Sequence, residues 1–384
     1  MKNGRLQAKD LLVAALALAA FVGGAETRLV RLDPGGNWLS KPMVLTVKDS
    51  GTRFVGAADG STVLSAGRPI TGWTARPDGT WAAKAPFYCE ALFVNGRRAV
   101  RAREPNVGFF RTRGVMRGKT GPVRAVQLLP HEAALLAKVP AADLPFVHFV
   151  AHVKWSLYRR PLAGFDAATG CVSFAPVDEA SWNRLNPQEQ HCFENLRSAF
   201  DAPGEWFYDG PAGEVLYRPL PGERIDQIEA IAPLPGFATL VTLDGAEDVT
   251  FENVTFAHTS PTAEKGPSSH NAFQAAISAP AAVHANRSCR LAFRNCAFRH
   301  TGGYGLHLEA ACVSNRVEFV PPEGFPWTEF QPIKRYVEDA PGGVMELNVP
   351  LAWNERGDLT VEVTDVASGA TARKALVLKD GTGK

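Results

Sequence analysis

The segment Val249-Thr-Phe-Glu-Asn-Val-Thr-Phe-Ala-His-Thr259 recurs 42 residues later as Leu291-Ala-Phe-Arg-Asn-Cys-Ala-Phe-Arg-His-Thr301. In each copy, apolar residues alternate up to an asparagine and resume the alternation one residue later. Because successive side chains of a strand point to opposite faces, this pattern predicts two short strands joined by a bend. Internal repetition of such a unit is typical of a solenoid whose coils stack on one another.

The matched residues within the repeat have separate predicted roles. Asn253 and Asn295 suit a corner with a left-handed backbone, and asparagines stacked from coil to coil can form a hydrogen-bonded ladder. Cys296 stands where the first copy has Val254, so we interpret it as a core residue. The paired histidines at positions 258 and 300 are interpreted as a structural ladder, with a sugar or metal site as the alternative, because two imidazoles fall short of a zinc site.

The solenoid pattern continues past the second copy and then stops. Tyr304-Gly-Leu-His-Leu-Glu309 alternates again, and Val317-Glu-Phe319 repeats the start of the earlier copies. Pro321 then takes the place of the next asparagine and opens a proline-rich segment, which is expected to leave the solenoid and cover its end. The sequence therefore predicts an all-β protein with a short right-handed parallel β-helix over residues 236–320, of which about two full coils are visible.

The remaining segments complete a predicted division of the chain. Residues 1–25 combine basic residues, a short apolar run and small residues, which is typical of a signal peptide, with retention as an anchor as the alternative. This predicts a secreted or periplasmic protein that is not in the membrane after cleavage. Residues 26–66 are expected to form the first strands of the β-helix, residues 67–235 an inserted β-rich module, and residues 321–384 a small β-sandwich-like piece.

The inserted module begins with a strong hairpin signal and a basic cluster. Asn95-Gly96 predicts a two-residue turn, with residues 100–103 as the returning strand. The same segment carries four arginines, which are interpreted as a solvated strand face in preference to an anion site: Arg97, Arg98, Arg101 and Arg103.

Charge and cysteine content exclude some functions and leave others open. The formal net charge is +2, and no concentrated basic face is evident, so nucleic acid is not an expected partner. The sequence suggests no cofactor and no metal site. In an exported chain the cysteines permit up to three disulfides, or they are buried thiols: Cys89, Cys171, Cys192, Cys289, Cys296 and Cys312.

Several irregular stretches occur in an order known from one protein family. They are Pro42-Met-Val-Leu-Thr46, Leu92-Phe-Val-Asn-Gly-Arg97, Pro203-Gly-Glu-Trp-Phe-Tyr-Asp209 and His300-Thr-Gly-Gly-Tyr-Gly-Leu306. Between about residues 32 and 317 the chain resembles right-handed β-helix proteins grouped near glycoside hydrolase family 141. The resemblance implies a β-rich module inserted among early coils, and a polysaccharide or oligosaccharide as partner. It also implies that catalytic carboxylates belong to later coils, which this sequence is expected to lack.

The visible coils offer one candidate pair of carboxylates for an acid and a base. Glycosidic bond cleavage uses two carboxyl groups about 5 to 9.5 Å apart, and neighbouring coils stack about 4.8 Å apart. Glu309 and Glu318 lie at outward positions and are the catalytic candidates. Glu252 and Arg294 occupy matched positions and are expected to form a cross-coil ion pair instead.

Candidate sugar-binding residues follow the second copy of the repeat. His300, Tyr304 and His307 are the predicted substrate-binding residues, and Trp206-Phe-Tyr208 is either a sugar-stacking platform or, preferably, module core. The sequence thus favours a carbohydrate-active, glycoside-hydrolase-like scaffold. The alternative is a non-catalytic carbohydrate-binding or surface structural module.

Overall fold

The computed structural model describes residues 28–117, 123–175, 182–267, 269–271, 278–318, 357–364 and 371–378. The coils of the chain stack on one another, and each coil contributes one strand to each of three parallel sheets. The first sheet contains Arg28–Arg31, Thr52–Val55, Thr250–Glu252, Ala292–Arg294 and Arg316–Glu318. The second contains Gly35–Trp38, Thr62–Ser65, Thr255–Ala257 and Ala297–Arg299. The third contains Met43–Thr46, Val241–Asp244, Ala281–Asn286 and Tyr304–Leu308.

The predicted all-β fold, built on a parallel β-helix, is confirmed. Four coils and the first strand of a fifth are present in the described residues, whereas the repeat alone revealed about two. The second coil carries the same core position, since Phe54 pairs in register with Phe251. The corner residue of this coil is Gly56, and glycine also tolerates a tight bend. The residues between Ser65 and Val241 separate the first two strands of this coil from the later copies in sequence.

Aromatic side chains stack along the interior of the β-helix. The ring centroids of Phe54 and Phe251 are 4.8 Å apart, and those of Phe251 and Phe293 are 5.6 Å apart. Phe256 and Phe298 form a second stack at 5.1 Å. Each fully buried side chain of this size contributes about 1.5–3 kcal/mol through apolar burial, so these stacks are a main reason why coils adhere.

The predicted asparagine ladder is present at the corner between the first and second sheets. Asn253 and Asn295 have φ values of 57° and 48°, which lie in the left-handed region. The side-chain nitrogen of Asn295 donates to the side-chain oxygen of Asn253 at 2.6 Å. The two asparagines therefore serve both the local backbone and the contact between coils.

The chain leaves the second coil after Ser65 and forms three further sheets before Val241. The first has the order Arg97–Arg98, Phe93–Val94, Ala230–Pro233 and Gly67–Pro69. The second has the order Val100–Arg101, Glu205–Asp209, Glu214–Tyr217, Trp81–Lys84 and Thr74–Ala75. We refer to these two sheets, together with the third sheet described next, as the inserted module. Its predicted boundaries, at residues 67 and 235, stay a prediction.

The third sheet of the inserted module is the largest and accepts a strand from the β-helix. Its main path is Arg103–Glu104, Gln190–Glu194, His148–Val153, Ser156–Asp166, Cys171–Phe174, Val123–Gln127 and Gly114–Arg117. Phe110–Arg111 pairs with Gln190–Glu194. His270–Asn271, from the loop between the second and third sheets of the third coil, pairs with Ser156–Asp166. This loop therefore ties the coils to the module.

Helical structure is sparse in the described residues, and the C-terminal strands form a hairpin. There is one α-helix, Pro130–Leu136, and three short 3₁₀ turns, Val47–Asp49, Leu144–Phe146 and Arg197–Ala199. Gly357–Thr364 pairs antiparallel with Thr371–Leu378. The predicted signal peptide and the covering segment that begins at Pro321 lie outside the described residues.

The predicted hairpin at Asn95-Gly96 is confirmed, but its predicted returning strand was wrong. Asn95 and Gly96 both have positive φ, and Phe93–Val94 pairs directly with Arg97–Arg98. A two-residue turn leaves no room for a longer excursion, so the returning strand starts at once. Val100–Arg101 instead pairs in parallel with the start of Glu205–Asp209.

All six cysteines are free thiols, as the alternative to a disulfide framework predicted. Cys89, Cys171 and Cys192 are buried in the inserted module. Burial raises the pKa of Cys89 and of Cys192 to about 12, because the thiolate would lose its hydration. These thiols act as small apolar fillers of the core.

Candidate functional site

A cleft of about 950 Å³ separates the inserted module from the coils, and we call it the cleft. The module contributes the segment from Arg98 to Arg103 and the edge of its largest sheet. The coils contribute turn residues of the second to fourth coils, among them Thr239, Thr259 and Gly302. The cleft exists because the module emerges between the second and third sheets, on the side where the later coils have their own connecting turns.

Ionised side chains give the cleft an excess of positive charge. Four arginines and two glutamates are among its lining residues: Arg98, Arg101, Arg103, Arg159, Glu90 and Glu194. Both carboxylates bind the same guanidinium, since Arg159 contacts Glu90 at very short range and Glu194 at 3.0 Å. Burial alone would lower the pKa of Arg159, but the two carboxylates outweigh it and hold that pKa above its ordinary value.

Arg101 is the most buried of the charged residues in the cleft. Its exposed fraction is 8 %, and its guanidinium lies 5.2 Å from the Trp206 ring and 5.9 Å from the Tyr88 ring. Nη2 donates to the Tyr88 hydroxyl at 3.2 Å. Within the described part of the chain, Nε and Nη1 have no hydrogen-bond partner. A buried cation with incomplete hydrogen bonding is costly, so Arg101 is the candidate ligand-contact residue of the cleft.

Arg98 and Arg103 flank Arg101 and are held by aromatic rings. The guanidinium of Arg98 lies 4.6 Å from the Phe93 ring centroid, and that of Arg103 lies 5.1 Å from the Phe109 ring centroid. Arg98 keeps contact with solvent, yet surrounding protein atoms partly desolvate it. This desolvation, followed by the positive charge of Arg159, lowers the pKa of Arg98.

The predicted ladder of His258 and His300 lies at a second, smaller cavity of about 280 Å³. Nε2 of His258 is 3.2 Å from Nδ1 of His300, and Nδ1 of His258 is 3.0 Å from Oγ of Ser65. Phe93 stacks on His300 at 4.3 Å. Burial, then the positive charge of His300 and of Arg98, lowers the pKa of His258 to about 4. Burial, then the charge of Arg98, also lowers the pKa of His300.

Three other predicted site residues lie on or directly after one strand of the third sheet. Tyr304 and His307 lie on the strand Tyr304–Leu308, and Glu309 follows it. Nε2 of His284, in the preceding coil, lies 2.7 Å from Oε2 of Glu309, and the His284 and His307 rings are 5.3 Å apart. The sequence analysis missed His284, although the alternation in Ala281–Asn286 would have placed it outward.

Glu318 is held on a different sheet from Glu309. It ends the first-sheet strand Arg316–Glu318 and contacts Arg316 at 2.6 Å and Arg294 at 3.4 Å. The structure therefore places the two predicted catalytic carboxylates on separate faces, with different contact partners. Their catalytic role stays a prediction, as does substrate binding by His300, Tyr304 and His307.

The expected ion pair between Glu252 and Arg294 is replaced by others. The two residues are register partners, but Glu252 binds Arg53 at 2.8 Å, and Arg294 binds Glu318. Glu252 finds its partner on the preceding coil, and Arg294 finds its partner on the following coil. The sequence pattern covered only the two coils that carry Glu252 and Arg294, so it did not predict these partners. The result is a ladder of alternating charges along the first sheet.

The expected solvated face of arginines in the inserted module is only partly formed. Arg97 and Arg98 are exposed, whereas Arg101 is buried and faces the cleft. The aromatic run Trp206-Phe-Tyr208 is buried in the module, as the preferred core interpretation predicted. Glu90, Arg159 and Glu194 carried no local signal, because only the folding of the module brings them together.

Two kinds of feature are absent from the described residues. No three histidine, cysteine or acidic side chains there converge as a metal site would require. No helix in those ranges is long and apolar enough to cross a bilayer.

No protein-family model and no curated protein sequence matches the chain. A solved structure described as "Glycoside hydrolase" is similar to it, with a TM-score of 0.62 and 22% sequence identity. The alignment covers 76% of this chain and 58% of that structure, so the chain spans little more than half of its neighbour's length. At this level of identity, the likeness shows a shared fold.

Proposed function

We propose that this protein is an exported carbohydrate-binding β-helix protein, and that the cleft holds a segment of a polysaccharide or oligosaccharide. The observation that carries the proposal is an open cleft of about 950 Å³ in which a buried arginine faces the space between two walls. Ligand sites are usually concave, largely apolar, and equipped with a few well-placed polar groups. The fold shared with a glycoside hydrolase supports carbohydrate as the ligand class by analogy.

The charges in the cleft favour binding over hydrolysis. A glycosidase needs one carboxylic acid that is protonated at working pH, and apolar or anionic surroundings usually provide it. Among the described lining residues, the carboxylates are Glu90 and Glu194, and both are paired with Arg159. One guanidinium thus engages both carboxylates, so neither is free to meet a glycosidic oxygen in the cleft.

Hydrolysis remains a separate proposal, tied to the residues predicted from sequence. It rests on Glu309 and Glu318, on the resemblance to glycoside hydrolase family 141, and on the fold of the neighbour. Export to the periplasm or the medium rests on the pattern of residues 1–25. Fractionation of producing cells, with the mature N-terminus read by mass spectrometry, tests that part on its own.

Binding is tested with immobilised neutral and acidic polysaccharides and the purified full chain. We expect retention on at least one of them, and loss of retention in Ser278→Trp, because Ser278 is exposed and lines the cleft. Ala168→Trp, in an exposed turn of the module, is the matched control and should bind as the wild type does. Retention that is equal in all three proteins would show that the cleft is not the site.

A further inference from the structure

We infer that the cleft selects an anionic sugar, one that bears a carboxylate or a sulfate, and that Arg101 is the residue that contacts the anion. This inference rests on the proposed function, because it specifies the class of carbohydrate that the same cleft takes. It follows from the charges inside the cleft and from the burial of one guanidinium.

The first step is the incomplete bonding of Arg101. Removing a cation from water is costly, and proteins normally offset this with a carboxylate and with hydrogen bonds to every N–H group. Two aromatic rings and one hydroxyl contact the Arg101 guanidinium, while Nε and Nη1 are themselves buried and lack partners among the described residues. The strand Val100–Arg101 is fixed by pairing with Glu205–Asp209, so the side chain is held in position before any ligand arrives.

The second step is that the cleft's own carboxylates are already engaged. Glu90 and Glu194 both bind Arg159, which belongs to the inserted module, as Arg101 does. Neither Arg98 nor Arg103 forms an ion pair with a described acidic residue. Two positive charges therefore remain in excess around the space next to Arg101, and an acidic ligand would neutralise them.

The third step is the match between the guanidinium and its ligand. An arginine presents parallel N–H donors in a planar fork, which suits the paired oxygens of a carboxylate or a sulfate ester. A neutral sugar offers hydroxyl groups, which would leave the excess charge uncompensated. Apolar side chains at Ala91, Leu157 and Ala238 line the same space and can contact the C–H faces of a sugar ring.

The test compares three oligosaccharides of equal length by isothermal titration calorimetry. They are an oligogalacturonate, the same compound after reduction of its carboxyl groups, and a sulfated galactan oligosaccharide. We expect the oligogalacturonate or the sulfated compound to bind at least ~10-fold more tightly than the reduced one, since charge-assisted hydrogen bonds are lost. Binding should also weaken as NaCl is raised from about 0.05 to 0.5 M.

Variants locate the anion contact. Arg101→Gln should weaken binding of the preferred acidic compound by ~10-fold or more and leave the weak binding of the reduced compound unchanged. Arg98→Gln changes a residue at the exposed rim of the cleft. The affinity of this variant for the acidic compound is a second measurement that does not depend on a buried substitution. Arg97→Gln is the matched control, because Arg97 lies outside the lining residues, and it should bind as the wild type does.

The outcomes separate this inference from the proposed function. Equal affinity for the acidic and reduced compounds would overturn the anionic specificity and leave carbohydrate binding intact. Absence of binding to all three compounds and to the polysaccharide panel would overturn both. A preference for only one of the acidic compounds identifies the carboxylate or the sulfate as the anion.

Discussion

Nε2 of His258 lies 3.2 Å from Nδ1 of His300, one coil further along the β-helix. Nδ1 of His258 in turn lies 3.0 Å from the Ser65 hydroxyl, in the coil before. Three coils are thus joined by one row of polar side chains at the end of the second sheet. The row can form with neutral imidazoles, in which each ring has one donor nitrogen and one acceptor nitrogen.

This row predicts an acid-sensitive stability. The pKa of His258 falls from about 6.5 in the unfolded chain to about 4 in the fold, because burial disfavours the charged imidazole. Its contribution is therefore fully present above pH 6.5 and is lost as the pH falls from 6.5 to 4. The free energy of unfolding should drop by up to about 3 kcal/mol over this window. Urea denaturation at several pH values measures it.

The pH effect should depend on the residue. His258→Gln is expected to flatten the pH dependence between pH 6.5 and 4, whereas His131→Gln should keep it, because His131 is exposed. Identical slopes for His258→Gln and the wild type would assign the acid sensitivity to other groups.

The asparagine corner combines a backbone effect with a contact between coils. Asn295 has φ of 48° and donates to Asn253 at 2.6 Å. Asn295→Ala should reduce the free energy of unfolding by about 1–2 kcal/mol, because alanine is strained at this φ and lacks the amide. Asn295→Gly keeps the backbone relaxed and should cost less than Asn295→Ala. Chemical denaturation of both variants measures the difference, and equal losses would rule out backbone strain as a component.

The phenylalanine stack should be the most sensitive part of the β-helix core. Phe251 is fully buried between Phe54 and Phe293, so Phe251→Ala leaves a cavity and should cost about 3–5 kcal/mol. Phe109→Ala is the control, since Phe109 is 37 % exposed and should cost less than about 1 kcal/mol. Thermal and urea unfolding of the two variants give the comparison. A loss below 1 kcal/mol for Phe251→Ala would show that the coils do not depend on this stack.

The predicted catalytic pair can be tested one residue at a time. Glu309 and Glu318 occupy different faces and have different contact partners, so we expect that neither Glu309→Gln nor Glu318→Gln changes the release of reducing ends from any substrate that the wild type cleaves. Both changes should alter the free energy of unfolding by less than about 1 kcal/mol, because partly exposed polar contacts of this kind contribute little. A loss of turnover of ~100-fold or more in both variants would instead support the hydrolase proposal.

Much of the β-helix could be predicted from one repeat, and part of it could not. The alternation around Asn253 and Asn295 fixes two strands and a corner in each copy, and the structure has them. The second coil has the equivalent phenylalanine, Phe54, but a glycine at the corner and no adjacent copy in sequence. The second coil joins the β-helix by pairing with strands that follow the inserted module in sequence. A local sequence pattern does not reveal such long-range pairing.

The all-β class, the parallel stacking, the asparagine ladder and the histidine pair could be predicted from the repeat, because residues one coil apart occupy equivalent positions and meet the same neighbours. The cleft depends on tertiary packing. In the sequence, Arg101 is one member of a basic cluster. In the structure it is a buried cation, because Val100–Arg101 pairs with a strand that is distant in sequence. Arg159, Glu194 and the turn at Gly302 reached the same space from separate segments of the chain. Such convergence depends on how the module folds back onto the coils, and that is a long-range packing property.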